Sequence, residues 1–139
     1  MADNGNAGCL CGAIRLRVEG TPITVMQCHC SDCQKSSGGG PVLIALMRRG
    51  DVTLHGGKPE GYSVTGASGG DVRRCFCPRC GTPIYSELGK YPQLLALKAG
   101  IWDEDPDLSA DCAIWTASAP DWHVIPDDIP GFPQARPTA

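Results

Sequence analysis

The sequence predicts a small, mainly β protein with at most one or two short helices. Apolar and polar residues alternate over short stretches, which is typical of half-buried strands, and no stretch keeps the 3.6-residue spacing of an amphipathic helix. Turn-forming residues are frequent: 18 glycines and 12 prolines make up 30 of the 139 residues. This length is near that of one domain, so a single domain over residues 1–139 is expected.

The clearest strand lies near the N-terminus, where Ile14, Leu16 and Val18 alternate with Arg15 and Arg17. Further short strands are expected where apolar or alternating runs are bounded by turn residues. These runs are residues 23–28, 41–47, 52–55, 62–65, 72–76, 82–86, 94–99 and 112–116.

The sequence predicts one short helix and an extended tail. The helix covers residues 32–37, with Ser31 as its N-cap and the glycines from Gly38 onward as its end. The tail after Trp122 contains four prolines, so it is expected to be extended and to fray at its end.

Charge and hydropathy exclude two classes of protein. Twelve Lys and Arg against 15 Asp and Glu give a net charge of −3, which argues against a basic nucleic-acid-binding surface. No apolar run approaches the ~20 residues of a membrane span, and the first residues are polar and acidic rather than typical of a signal peptide. A cytoplasmic protein is therefore expected.

Nine cysteines are the most unusual feature of the composition. Their odd number and close spacing argue against a disulfide framework and favour metal or redox chemistry in a reducing compartment. Seven of them form three clusters: Cys9-Leu10-Cys11, Cys28-His29-Cys30-Ser31-Asp32-Cys33 and Cys77-Pro78-Arg79-Cys80.

The third cluster, which is followed by Gly81, is typical of a zinc knuckle. Two ligands are too few for a structural zinc ion, so Cys77 and Cys80 require a second pair. Cys9 and Cys11 are two residues apart on an extended segment, so their sulfurs share one face and can complete a tetrahedral site.

The remaining cluster contains three cysteines, Cys28, Cys30 and Cys33. Three protein ligands leave a coordination position open for water or substrate, as in catalytic zinc sites. The alternative is a structural site that is completed by a fourth residue: Cys75, His29 or His55.

The two other cysteines are expected to be free of metal. Cys75 repeats the spacing of the triplet but is interpreted as a buried thiol, and Cys112 as a core residue. An iron–sulfur cluster is the alternative to zinc.

Several motifs together resemble the GFA family, which is named after the glutathione-dependent formaldehyde-activating enzyme and includes the centromere protein V-like proteins. The resemblance covers residues 7 to 125. It rests on the segments Gly8–Ile14, Cys28–Gly38, Phe76–Pro83, Gly100–Asp103 and Ala119–Trp122.

The resemblance implies a β-tent fold of twisted antiparallel sheets that are joined by zinc. It implies a structural zinc at Cys9, Cys11, Cys77 and Cys80, and a catalytic zinc at Cys28, Cys30 and Cys33, so two zinc ions per chain. It also implies a carbon–sulfur lyase activity, in which formaldehyde and glutathione condense to S-hydroxymethylglutathione. The expected partners are a small-molecule thiol and an aldehyde.

Side chains near the triplet are candidates for supporting roles. Ser36 and Ser37 are positioned to bind a hemithioacetal oxygen, and Asp32 or His29 to carry a proton. For Asp32 and Ser31 helix capping is the competing interpretation.

Glutathione carries two carboxylates, so its site needs cations. The candidates are Lys35, Arg48, Arg49, Arg73 and Arg74. The arginines at 73 and 74 could instead compensate the charge of the zinc knuckle.

Two other functions compete with the lyase. One is a non-catalytic zinc-binding module for protein interaction, in which both zinc ions are structural. The other is a thiol redox protein that uses Cys77 and Cys80 free of metal.

Overall fold

The computed structural model describes residues 4–67 and 69–137. Within these residues the chain forms eleven strands, one α-helix and three 3₁₀ helices, so the predicted mainly β fold with one short helix is confirmed. No helix in this part of the chain is long and apolar enough to cross a membrane. The elements are β1 Asn4–Gly8, β2 Ile14–Glu19, β3 Thr24–Cys28, α1 Ser31–Ser37, β4 Val42–Arg48, a 3₁₀ helix Arg49–Asp51, β5 Val52–Gly56, β6 Glu60–Thr65, β7 Asp71–Phe76, β8 Pro83–Leu88, β9 Leu94–Lys98, a 3₁₀ helix Ala99–Ile101, β10 Cys112–Ile114, a 3₁₀ helix Thr116–Ser118 and β11 Gly131–Phe132.

The strands form two sheets. The smaller has three strands in the order β1-β2-β5, and the larger has eight in the order β11-β10-β3-β4-β9-β8-β7-β6. Neighbouring strands are antiparallel, except that β10 is parallel to both β3 and β11.

The main core lies between the two sheets. Ile14, Leu16 and Val18 of β2 are at most 2% exposed, as their alternation with arginines predicts. They belong to one cluster with Met47 of β4 and Leu97 of β9. Because side chains alternate between the faces of a strand, the neighbouring residues of β4 and β9 lie on the opposite face of the large sheet.

The structure corrects the predicted helix cap. Cys30, not Ser31, is the N-cap of α1: its Sγ accepts a hydrogen bond from the backbone N–H of Cys33 at 3.2 Å. Gly38 ends the helix with a φ of 75°, which favours glycine.

Two strands are absent from the predictions. β1 contains the polar and small residues Asn4–Gly8, which show no apolar alternation, and pairs with β2 along its whole length. β11 lies in the proline-rich tail and pairs with β10. The tail is held further by a hydrogen bond from the N–H of Trp115 to the carbonyl of Gln134, at 3.0 Å. Residues 138–139, where fraying is predicted, lie outside the described residues.

Candidate metal centres and the adjoining cleft

The structure brings four cysteines from distant parts of the chain into one cluster. The Sγ atoms of Cys9, Cys11, Cys77 and Cys80 all lie within 4.8 Å of one another. The Cys9 and Cys11 sulfurs are 3.7 Å apart, and those of Cys11 and Cys77 are 3.8 Å apart. This is the pairing that the spacing predicts, and four thiols at these distances can hold a metal ion.

Two tight turns place these sulfurs. Gly12 and Gly81 have φ values of 81° and 80°, in the left-handed region that favours glycine. The N–H of Gly81 donates to the carbonyl of Cys77 at 2.8 Å, and the N–H of Ile14 donates to the Sγ of Cys9 at 3.2 Å. The Gly81 bond closes the turn between Cys77 and Cys80, whereas the Ile14 N–H points at the Cys9 sulfur and favours its thiolate form.

Thr82 connects the two halves of this four-cysteine cluster. Its Oγ1 lies 3.1 Å from the Sγ of Cys80 and accepts a hydrogen bond from the N–H of Leu10 at 3.1 Å. Mainly because of the Thr82 hydroxyl, the pKa of Cys80 is lowered to about 5. At neutral pH Cys80 is therefore ready to act as a metal ligand without first losing a proton.

The second cluster lies where β3 meets α1. The Sγ atoms of Cys28, Cys30 and Cys33 are all within 4.8 Å of one another, and Cys28 and Cys33 are buried. Among the described residues, no other Cys, His, Asp or Glu joins this three-cysteine cluster. The proposed fourth ligands Cys75, His29 and His55 are thus not part of it.

Hydrogen bonds within the three-cysteine cluster concentrate negative charge on one sulfur. Bonds from Cys28 and Cys33 lower the pKa of Cys30 to about 2. Bonds with the same two neighbours, Cys30 first, raise the pKa of Cys28. A soft divalent cation would replace the remaining protons, so this donor set fits zinc, as does the four-cysteine cluster.

A cleft of about 670 Å³ opens on the face of the large sheet away from the main core, and the three-cysteine cluster forms one end of it. This volume is typical of sites for small organic molecules. Every second residue along parts of five strands lines the cleft, because alternate side chains of a strand lie on the same face of the sheet. Among the lining residues are Met26, Cys28, Ile44, Leu46, Val72, Arg74, Ser86, Leu88, Leu94, Ala96, Lys98 and Ile114.

Three cations lie in the cleft: Arg74, Lys98 and Arg136. Lys98 donates a hydrogen bond to Ser86 Oγ at 3.4 Å, and burial lowers its pKa. Arg136 donates to Thr24 Oγ1 at 3.2 Å. Lys98 was not among the predicted residues, although the alternation of β9 places it on the same face as Ala96. Arg136 was not predicted either, because nothing in the tail's sequence indicates that the tail returns to the sheet.

The other predicted cations lie elsewhere. The side chain of Arg73 lies on the opposite face of β7, where its Nη1 is 3.4 Å from Oε1 of Glu87. Arg49 pairs with the same carboxylate at 3.2 Å. Lys35 is exposed on α1 and Arg48 is exposed at the end of β4, and neither lines the cleft.

The predicted polar residues of α1 divide into two groups. Ser31 and Asp32 line the cleft beside the cysteines. Ser36 and Ser37 do not: their hydroxyls donate to the carbonyl of Cys33 at 3.3 Å and 2.8 Å, and so hold the helix turn that carries this cysteine.

His29 lies between two cysteines of the cluster but points away from it, as its position on an extended segment predicts. It is fully buried, and its Nδ1 lies 2.8 Å from Nδ1 of His123. Its Nε2 lies 3.2 Å from Oε1 of Gln27. Burial, together with the neighbouring His123, lowers the pKa of His29, which favours its neutral ring. The contact between the two rings holds the cysteine segment in place.

Cys75 and Cys112 are buried at 2% exposure and belong to neither cluster. Burial is the main cause of the raised pKa of each. Both positions agree with their interpretation as buried thiols.

Comparison with known proteins identifies the family. The family model for the glutathione-dependent formaldehyde-activating enzyme (GFA) matches residues 4–118. A protein of Halomonas elongata named "Putative glutathione-dependent formaldehyde-activating enzyme" is 30% identical over 122 residues, which cover 84% of this chain and 78% of that protein. The fold is similar to that of a crystal structure of a Rhodobacter sphaeroides protein, with a TM-score of 0.56 and 21% identity over 70% of this chain and 87% of that one. On the extent of the family match, this chain belongs to the GFA family.

Proposed function

We propose that the protein is a zinc-dependent carbon–sulfur lyase of the GFA type, which acts on a thiol–aldehyde adduct such as S-hydroxymethylglutathione. One observation carries the proposal: a cluster of three thiols, with no fourth ligand among the described residues, opens directly into a cleft that contains cations. The family membership supports the same chemistry.

In this proposal Cys28, Cys30 and Cys33 hold the catalytic zinc, and the four-cysteine cluster holds a structural one. A zinc ion held by these three cysteines would supply a position in which an incoming thiol is kept as its nucleophilic thiolate. Three thiolates around Zn²⁺ leave a net charge of −1, so this site suits thiolate binding better than the polarisation of a carbonyl.

The chain's own residues bind the substrate and move the proton. Arg74 and Lys98 bind the carboxylates of the thiol, because both lie in the cleft with the cysteines. Asp32, at the edge of the same cleft, accepts the proton that leaves the thiol and returns it to the oxygen of the aldehyde as the carbon–sulfur bond forms. The reverse reaction moves the proton the other way.

Ser36 and Ser37 have a positioning role in this proposal rather than contact with the hemithioacetal. Their hydroxyls hold the carbonyl of Cys33 and thereby the direction of its side chain.

The test uses the zinc-loaded protein with glutathione and formaldehyde. Glutathione at a hundredfold excess over its Kd is expected to stabilise the protein by ~2.7 kcal/mol, measured as a rise in Tm. Formation of the adduct, followed by NMR exchange, is expected to exceed the spontaneous rate. Cys30→Ser, which removes one ligand of the cluster, is expected to lose both effects.

A protein that holds two zinc ions, shows no Tm shift with any thiol and does not accelerate adduct formation would contradict the lyase proposal. The non-catalytic interaction module would then be the function to test, by capture of partners from a lysate with the zinc-loaded chain.

A further inference from the structure

The pairing of the strands arranges the floor of the cleft in rows that cross the large sheet. The first row contains the three-cysteine cluster at the end of β3. The second contains Met26, Ile44 and Lys98, and the third contains Thr24, Leu46, Ala96, Ser86 and Arg74. The last row contains Val64, Val72 and Leu88, with Leu94 two residues beyond Ala96 on β9.

The cleft is long compared with the proposed reacting groups. Successive rows are two residues apart on each strand, and a strand rises about 3.3 Å per residue, so the last row lies about 20 Å from the first. Formaldehyde and the thiol sulfur occupy only the first of these rows.

The chemical character of the rows changes along the cleft. Lys98 and Arg74 lie in the second and third rows, and neither forms an ion pair with a carboxylate of the described residues. The Nε of Arg74 is buried and has no hydrogen-bond partner among them. None of the last-row residues that line the cleft is charged: these are Val64, Val72, Leu88 and Leu94. Arg48 pairs with Leu94 at the end of β4 but is exposed and does not line the cleft.

This order of sulfur site, cations and apolar floor matches a particular kind of ligand. Glutathione has charged groups at both ends and no apolar group, so it would leave the last row without a matching partner. An apolar group in that row would instead be removed from water, which favours binding.

We infer that the cleft takes an amphipathic anion: a ligand with a carboxylate close to its reacting end and a medium-length alkyl or aromatic group beyond it. The inference rests on the proposed function only for the chemistry of the reacting end. The carboxylate contacts Lys98 and Arg74. The apolar group extends from Leu46 and Ala96 in the third row to Leu88 in the last row.

Straight-chain carboxylates without sulfur test this inference independently of the zinc chemistry. The zinc-loaded full chain is titrated by calorimetry with butanoate, hexanoate, octanoate and decanoate. The Kd is expected to fall by about fourfold for each added methylene, in line with the gain on burying a CH₂ group. A Kd that does not change with chain length, or no binding of any of the four acids, would overturn the inference.

A matched pair of variants locates the apolar group. Leu88→Asn, in the last row, is expected to abolish the gain in affinity from octanoate to decanoate. Leu54→Asn changes a residue that is exposed on β5 of the smaller sheet, and it is expected to keep this gain. Val72→Thr, which nearly keeps the shape of the side chain, replaces Leu88→Asn if that variant does not fold. Equal effects at Leu54 and at the last row would contradict the assignment.

Arg74→Gln separates the anionic from the apolar contribution. It is expected to weaken all four acids by a similar factor, about tenfold, and to leave the dependence on chain length unchanged. An unchanged Kd in this variant would show that Arg74 does not bind the carboxylate and would overturn that part of the inference.

An activity measurement tests whether the sulfur, the carboxylate and the alkyl chain belong to one reactant. 2-Mercaptooctanoate with formaldehyde is expected to react faster on the protein than octanal with glutathione, which divides the carboxylates and the alkyl chain between two molecules. The reverse order would contradict the inference. If the acids bind with the expected chain-length dependence but no pair is accelerated, the lyase proposal fails and the ligand class stands. If formaldehyde and glutathione react faster with the protein but the acids show no chain-length dependence, the ligand class fails and the lyase proposal stands.

Discussion

Both cysteine clusters consist of thiols, but the residues that they bring together are separated by very different lengths of chain. In the four-cysteine cluster, Cys11 and Cys77 are 66 residues apart and join the segment after β1 to the turn before β8. The three-cysteine cluster lies within six consecutive residues, from Cys28 at the end of β3 to Cys33 in α1.

This difference predicts a structural role for the first cluster and a chemical role for the second. A cross-link over a long loop removes much conformational entropy from the unfolded chain, whereas a cross-link within one turn removes little. Cys9 and Cys77 also pack in the main core, while Cys28 and Cys33 pack in a smaller apolar cluster beside the cleft. The long-range cluster is therefore expected to stabilise the fold, and the local one to act on a ligand.

The largest expected effect is on folding. Cys77→Ser removes a ligand whose binding energy is part of the folding free energy, so we expect a loss of several kcal/mol and a fall in Tm of about 20 °C or more. The measurement is thermal unfolding of the zinc-loaded chain by circular dichroism. Cys75→Ala, a buried cysteine of β7 outside both clusters, is the control and is expected to keep both metal ions and most of the stability.

Cys30→Ser tests the expected role of the three-cysteine cluster. We expect it to lose one of two metal ions and to reduce adduct formation to the spontaneous rate, while its Tm falls by only about 5 °C, since the triplet closes a short loop. Metal analysis and NMR exchange measure these two effects. A Tm loss as large as that of Cys77→Ser would show that the three-cysteine cluster is structural as well.

Neighbouring arginines of β7 test whether the cleft face is the substrate face. Arg74→Gln is expected to raise the KM for glutathione about 10- to 100-fold, because a charged hydrogen bond contributes about 1.5–3 kcal/mol. Arg73→Gln is expected to change it less than about threefold, since a surface ion pair such as that of Arg73 with Glu87 on the opposite face contributes little. Similar effects of both substitutions would remove the distinction between the two faces.

The smallest expected effect concerns the pH at which the four-cysteine cluster releases its metal. Thr82→Val removes the hydroxyl that keeps the pKa of Cys80 at about 5, below its usual 9.0. A lowered pKa favours the thiolate and hence metal binding above that value, and this advantage is lost as the pH falls through about 5. We therefore expect Thr82→Val to move the midpoint of zinc release upward by less than about one pH unit, since one hydrogen bond to the thiolate is lost.

Zinc release is followed with a chromogenic chelator during acid titration. Thr53→Val, on the exposed β5 strand of the smaller sheet, is the control, and its midpoint is expected to match that of the wild type. Equal midpoints in the two variants would show that the Thr82 hydroxyl does not support the Cys80 thiolate.

The local patterns of the sequence predicted much of the fold. Strand β2 was predicted from the alternation of Ile14, Leu16 and Val18, because burying one face of a strand leaves a period of two in the sequence. β1 was not predicted, because its polar and small residues acquire a strand conformation from pairing with β2 rather than from their own preference. The cap of α1 was misplaced by one residue, because a cysteine sulfur accepts the hydrogen bond that serine usually accepts.

The sequence by itself determined the two groups of cysteines, since metal ligands follow short spacings that tight turns impose on Cys9–Cys11, Cys28–Cys33 and Cys77–Cys80. Only the tertiary structure decided which charged residues accompany them. Arg73 and Arg74 are equivalent in sequence, yet the register of β7 places one beside Glu87 and the other in the cleft. Arg136 reaches the same cleft only because the tail pairs with β10. Pairing between distant strands depends on contacts over the whole sheet, so it cannot be predicted from the pattern of any short stretch of sequence.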